Sequence, residues 1–133
     1  MPTQILLIDD EPRLCDVVKQ GLEILGDFKV SIATSGKEGL GMAKRLKPDL
    51  ILLDIRMPKM DGITVLKNLK RDPGTLEIPV VMLSAILSDL TKVECVSEYS
   101  EDYVEKPVDL TVLKTKIEEV LRRVRGVNKK GSP

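Results

Sequence analysis

Residues 50–62 read LILLDIRMPKMDG. Leu50, Ile51, Leu52 and Leu53 are apolar at consecutive positions, so a strand through them would be buried on both faces. The run then stops on a carboxylate, Asp54, and a Pro-containing loop follows before Asp61-Gly62 opens a helix-like segment. Strand-to-helix loops often carry an Asp whose side chain caps the next helix, and that is the plain explanation of Asp54. The rest of the chain decides whether it is enough.

With 133 residues, the chain suits one domain that buries about two-thirds of the surface of its unfolded state. Acidic and basic residues balance at 21 each, so no net field draws the chain onto nucleic acid or an anionic membrane. No Trp, one Phe and two Tyr leave an aliphatic core and too few rings for a base-stacking platform. Cys15 and Cys95 are too few for a disulfide framework, and without His a zinc site or an activated thiol lacks its usual partners. Buried structural thiols are expected. The N-terminal MPTQILLIDDEP has no basic leader, and its apolar stretch breaks on acids far short of the ~20 residues that span a bilayer. A cytoplasmic protein with no membrane insertion and no direct nucleic-acid binding is the expectation.

Strand-like runs fall at 4–8, 28–33, 50–53, 78–83 and 102–105. Between and after them lie one-sided helical segments, among them 36–47 (Leu40, Ala43, Leu46), 62–71 (Val65, Leu66, Leu69) and 109–125 (Leu113, Ile117, Val120, Val124). Ser35 with Glu38 fits a capping box, and Gly126 after a basic turn fits a helix stop. Five alternations of strand and helix predict an α/β domain with a doubly wound parallel sheet. Phe28, Val30 and Ile32 alternate with polar neighbours, which makes the second strand an edge. If the short fifth strand is the other edge, right-handed crossovers give the order 2-1-3-4-5, with the switch point between strands 1 and 3. Ligands bind such sheets beyond the carboxyl ends of the strands, which nominates Asp9, Asp10, Asp54, Ser84 and Lys106.

Singly, each has a plain reading: Asp10 before Glu11-Pro12 as an N-cap, Ser84 as the start of a turn, Lys106 as a solvated lysine. Jointly they do not. Three carboxylates side by side require protonation or a cation, and an all-oxygen set without His or Cys suits Mg²⁺. Beside a cation, a carboxylate can attack phosphorus and become an aspartyl phosphate. The Lys106 ammonium, the Ser84 hydroxyl and the metal would then meet the three phosphoryl oxygens. The loop after Asp54 would add the backbone carbonyl of Arg56 as a further metal ligand.

On these residues the sequence resembles a response-regulator receiver domain of two-component signalling, over residues 3–125. The resemblance rests on ILLIDDEP, LLDIRMPKMDG, VVMLSA and DYVEKP in this order and spacing. It implies a five-stranded, flavodoxin-like fold, Mg²⁺ at Asp9, Asp10 and Asp54, and phosphorylation of Asp54 by a sensor histidine kinase or phosphotransfer protein. It also implies a Lys106-Pro107 bond that is usually cis, and Ser84 and Tyr103 as a switch pair. The signalling face would be the fourth helix, strand 5 and the fifth helix, which pairs two protomers or docks a target. Such a domain is a regulatory phospho-acceptor and not an enzyme. Ser84 stands where Thr is as common, Tyr99-Ser100 where Gly-Ala is usual, and Arg56 and Ile86 where receivers vary.

A flavodoxin-like FMN binder would want a Ser/Thr/Gly-rich cradle after strand 1, and a haloacid-dehalogenase-type phosphatase a second Asp where Arg56 stands. No GxxxxGK[ST] motif occurs. The alternative is a receiver-like docking module that is never phosphorylated. Residues 1–126 are expected to form the receiver, and 127–133 a polar tail or the start of a linker.

Overall fold

The protein is described by a computed structural model covering residues 1–85 and 99–130, with residues 127–130 described by backbone alone. Its elements are β1 (Thr3–Ile8), α1 (Pro12–Leu25), β2 (Phe28–Ala33), α2 (Gly36–Leu46), β3 (Leu50–Asp54), α3 (Gly62–Arg71), β4 (Val80–Ser84), β5 (Asp102–Glu105) and a C-terminal helix (Leu110–Lys130). The expected fourth helix, Ile86 and Cys95 lie outside the described residues.

All five strands are parallel, in the order β2-β1-β3-β4-β5, so both expected edges and the switch point are where strand patterning puts them. The consecutive apolar residues of β3 divide between two cores. Ile51 and Leu53 join Leu6, Ile8, Val80 and Met82 beneath α2 and α3, while Leu50 and Leu52 join Ile5, Leu7, Val81 and Leu83 beneath α1 and the C-terminal helix. Each fully buried Leu or Ile contributes about 1.5–3 kcal/mol, and this two-sided packing holds the strand ends rigid.

Local chemistry sets the helix ends. Ser35 Oγ accepts the Glu38 N–H at 3.2 Å, but the Glu38 carboxylate reaches the Thr34 N–H at 3.3 Å. The capping box therefore closes one residue earlier than its usual form. Lys47, at φ 46°, ends α2 in the left-handed conformation. Gly126 does not stop the last helix, which continues to Lys130. A glycine costs a helix only about 1 kcal/mol, and nothing after it in this sequence forces a turn before Pro133.

The β2 edge carries its own seal. Ala33 O accepts the Asp9 N–H, so the N–H and C=O of Val30, three residues earlier in the alternating pattern, face away from β1. Glu23 Oε2 accepts the Val30 N–H at 2.9 Å and Lys19 Nζ donates to Val30 O at 2.7 Å, with the two side chains 3.0 Å apart. This ion pair on α1 takes the place of a neighbouring strand. Replacing both residues with alanine is expected to accelerate hydrogen exchange at the Val30 amide and to lower stability by about 1–2 kcal/mol. Exchange as slow as in the parent protein would show that the pair protects nothing.

Candidate functional site

Sheet register assembles the site. Ile8 pairs with Leu53, Asp54 with Leu83 and Ser84 with Glu105, so Asp9, Asp54, Ser84 and Lys106 step across the carboxyl ends of four adjacent strands. Backbone bonds hold the steps: Ile55 N–H donates to Leu83 O at 3.1 Å and Lys106 N–H to Ser84 O at 2.7 Å. Asp9, Asp54 and Ser84 are buried, Asp10 is half-buried, and Arg56 and Tyr103 are exposed. The Lys106-Pro107 bond is cis.

Asp9, Asp10 and Asp54 each offer a carboxylate oxygen, and these atoms lie within 4.8 Å of one another. Lys106 Nζ is 2.9 Å from Asp9 Oδ2, 3.2 Å from Glu11 Oε1 and 3.3 Å from Asp54 Oδ1. One ammonium thus serves three acids. Asp54 Oδ1 also accepts the Arg56 N–H, at 3.3 Å, while its Oδ2 is buried without a hydrogen bond among the described residues. Asp9 Oδ1 accepts the Glu11 N–H at 3.0 Å, and its Oδ2 meets Lys106 as an ion pair.

These surroundings shift the titrations. Burial first, and the charge of Asp9 second, raise the Asp54 carboxyl from 3.8 to about 7, against the opposing pull of Lys106. Burial also raises Asp9, although Lys106 and the Glu11 N–H oppose it. Burial works against the Lys106 charge, but its contacts with Asp9 and Asp54 outweigh that and hold the ammonium above the usual lysine range.

Asp10 is not the N-cap of α1. That position belongs to Glu11, which makes no side-chain cap bond, and Pro12 comes next at the first helical position. Asp10 is thereby left within the carboxylate cluster. The cap in the β3–α3 loop is Asp61, whose Oδ1 accepts the Thr64 N–H at 2.8 Å, so helix capping accounts for Asp61 and not for Asp54. Gly62 matters for close approach: its N–H donates to Ile55 O at 2.8 Å, and a Cβ there would strike the Asp54 carbonyl oxygen. Gly62→Ala is expected to cost about 1–3 kcal/mol and to perturb Asp54 backbone resonances. Unchanged Asp54 shifts in a stable variant would show that the loop yields elsewhere.

The donor set fits a hard divalent cation. It is all oxygen, and the buried Asp54 Oδ2, without a hydrogen bond, is the kind of atom that a cation satisfies. Sequence reasoning missed two neighbours. Glu11 read only as an acid near a helix start, and its side chain instead meets Lys106. Cys15, buried as expected, approaches the Asp9 carbonyl with its Sγ at 3.3 Å, and burial raises its thiol to about 11. Among the described residues no helix is long and apolar enough to cross a membrane.

Residues 5–118 match the family model of the response regulator receiver domain. The chain is 40% identical over 120 residues to the DNA-binding dual master transcriptional regulator RpaA of Synechocystis sp., covering 90% of this chain and 49% of that protein. It is 36% identical over 123 residues to the alkaline phosphatase synthesis transcriptional regulatory protein PhoP of Bacillus subtilis, covering 92% and 50%. The chain thus spans about half the length of these curated relatives. Among solved structures, the Francisella response regulator 1452 receiver domain superposes with a TM-score of 0.80 at 30% identity, covering 91% of this chain and 98% of that one. Vibrio cholerae chemotaxis protein CheY4 gives 0.82 at 25% identity, covering 90% and 99%. With its strand order, its acid cluster and a family match over most of its length, this chain belongs to the response regulator receiver domains.

Proposed function

We propose that the protein is a phospho-accepting signalling switch in which Asp54 receives a phosphoryl group from a sensor histidine kinase or phosphotransfer protein. The observation that carries this reading is Asp54 itself: buried at a strand end, with one oxygen held by Lys106 and the Arg56 N–H and the other without a hydrogen bond among the described residues. An Asp54 carboxylate oxygen would attack phosphorus as the bond to the donor nitrogen breaks, giving an acyl phosphate and the donor imidazole. Burial and the charge of Asp9 raise the Asp54 carboxyl to about 7, and a nearby cation would favour the reactive carboxylate. Lys106 would meet one phosphoryl oxygen, and the Ser84 hydroxyl would meet another. Asp9, Asp10, Asp54 and the backbone carbonyl of Arg56 would hold Mg²⁺, which supplies positive charge where two anions must meet.

The chain assists only its own phosphotransfer and dephosphorylation, as a regulatory domain. Residues 1–126 form the receiver in this reading, and 127–133 are a polar tail or the start of a linker. Ser84 is the lever: as its hydroxyl moves toward the phosphoryl group, Tyr103 turns inward from its present exposed position. The face expected of the fourth helix, β5 and the C-terminal helix then pairs two protomers or docks an output partner. A docking module that is never phosphorylated is the competing reading.

Incubation with acetyl phosphate followed by intact-mass measurement decides between them. A single phosphoryl adduct is expected, lost in Asp54→Ala and in EDTA. An unmodified protein under all conditions supports the docking module, and an adduct that survives Asp54→Ala refutes the acceptor assignment. Beryllofluoride at Asp54 is further expected to shift the NMR signals of Tyr103 and of the C-terminal helix; shifts confined to the acid cluster would place the output on another face.

A further inference from the structure

Glu11 occupies an unusual place. It is the N-cap of α1, where Ser, Thr, Asp or Asn normally accept an N–H of the first turn, yet its side chain caps nothing. Its backbone is fixed on both sides: the N–H is held by Asp9 Oδ1 at 3.0 Å, and its C=O accepts the first helical bond, from the Cys15 N–H, at 3.0 Å. Pro12, with its ring-locked φ, stiffens the first helical position beside it. So held, the carboxylate meets Lys106 Nζ at 3.2 Å, across 95 residues of sequence.

We propose that Glu11 is a positioning residue that tethers Lys106 in the unphosphorylated protein and competes with the incoming phosphoryl group for its ammonium. This inference rests on the phospho-acceptor reading above. Lys106 touches three carboxylates, of which Asp9 and Asp54 are buried and Glu11 is 62% exposed at its side chain. Asp9 and Asp54 would lose their counter-charge in a low-dielectric setting, whereas Glu11 is rehydrated at once when released. It is therefore the contact that breaks first. Glu11 sets the resting aim of the ammonium, and its release lets Lys106 follow the phosphoryl oxygens while keeping its hold on Asp9.

An ion pair with one exposed member is worth little, so the tether is a small term and a readily reversible one. Its removal should tighten binding of a phosphoryl mimic about two- to five-fold. A distributed field effect, in which loss of any nearby negative charge favours an anion, predicts the same sign. The two separate in a double-mutant cycle, because a tether acts only through Lys106.

The test uses the intact protein, Mg²⁺ and beryllofluoride, with affinities taken from NMR titration of wild type, Glu11→Gln, Lys106→Gln and the double variant. Glu11→Gln is expected to bind the mimic about two- to five-fold more tightly, and the gain to vanish in the Lys106→Gln background. A gain that persists there, or no gain in Glu11→Gln, overturns the proposal. So does an effect of Glu11→Gln confined to Mg²⁺ affinity. The ligand-free protein supplies a second readout, because the Lys106 ε-methylene signals should shift and sharpen in Glu11→Gln. Should Lys106→Gln bind too weakly to titrate, unchanged ε-methylene signals in Glu11→Gln overturn the tether on their own. Wild type that binds no beryllofluoride refutes the phospho-acceptor reading instead, a result distinct from failure of the tether.

Discussion

Lys106→Met is expected to lower the stability of the metal-free protein by about 2–4 kcal/mol at pH 8, and by much less at pH 5. Among the described residues, the variant removes the one cation that meets Asp9, Glu11 and Asp54, and it leaves two of those acids buried. Breaking a buried pair by deleting one partner costs about 3–5 kcal/mol, and the lower figure allows for water reaching Glu11 and the end of the lysine. The carboxylates set the sign of the pH dependence. Burial already raises Asp9 and Asp54 in the wild type, and loss of Lys106 raises them further, so the folded variant takes up protons at a higher pH than the unfolded chain. The penalty is therefore small where the acids are protonated and grows as pH rises past neutrality. Lys106 itself contributes no pH window here, because its raised folded value keeps it charged throughout this range. Chemical denaturation across pH 5–8 checks this. A deficit independent of pH would mean that Lys106 stabilises by packing. Mg²⁺ affinity in the variant should not fall as it does in Asp10→Asn; an equal fall would show that Lys106 and the acids have no division of labour.

Much of this fold was legible because its strongest signals are local. Four consecutive apolar residues in β3 require cover on both faces, and the alternating Phe28, Val30 and Ile32 require an edge, which together leave few strand orders. The strand-end residues Asp9, Asp54, Ser84 and Lys106 then emerge from topology, because parallel register brings like ends of strands together. Less was legible where the outcome depends on which side chain reaches which. Asp10 and Glu11 both stand before Pro12, and cap preference favours Asp10; the Asp9 carboxylate binds the Glu11 N–H instead and moves the helix start by one residue. Two of the partners of Lys106, Asp9 and Glu11, lie at the other end of the chain, beyond the reach of any periodicity. Gly126 misled for the opposite reason: a residue that often ends helices does so only when the chain beyond it turns, and here it continues to Lys130.

Asp54→Asn is expected to make the metal-free protein more stable, by about 1–3 kcal/mol at pH 8, while abolishing acyl phosphate formation. The wild-type carboxyl titrates at about 7 when folded, against an ordinary value of 3.8, because burial and the charge of Asp9 disfavour its ionised form. A folded value raised above the unfolded one means that the native state holds the proton longer, so stability falls as pH rises between the two values. The whole shift would correspond to about 4 kcal/mol, and relaxation, water entry and the lost contact with Lys106 reduce what the amide recovers. The advantage of the variant should therefore be near zero at pH 4, grow through pH 5 and 6, and level off above 7. Mg²⁺ should erode it from the other side, because an ion that binds the native acids stabilises wild type increasingly as its concentration rises above its Kd, and Asn offers it no charge. Thermal or urea unfolding of both proteins, with and without Mg²⁺, measures all of this together. A variant less stable than wild type at pH 8 without metal would show that Asp54 is held by its neighbours and not strained by them, and that the site is settled before any cation or phosphoryl group arrives.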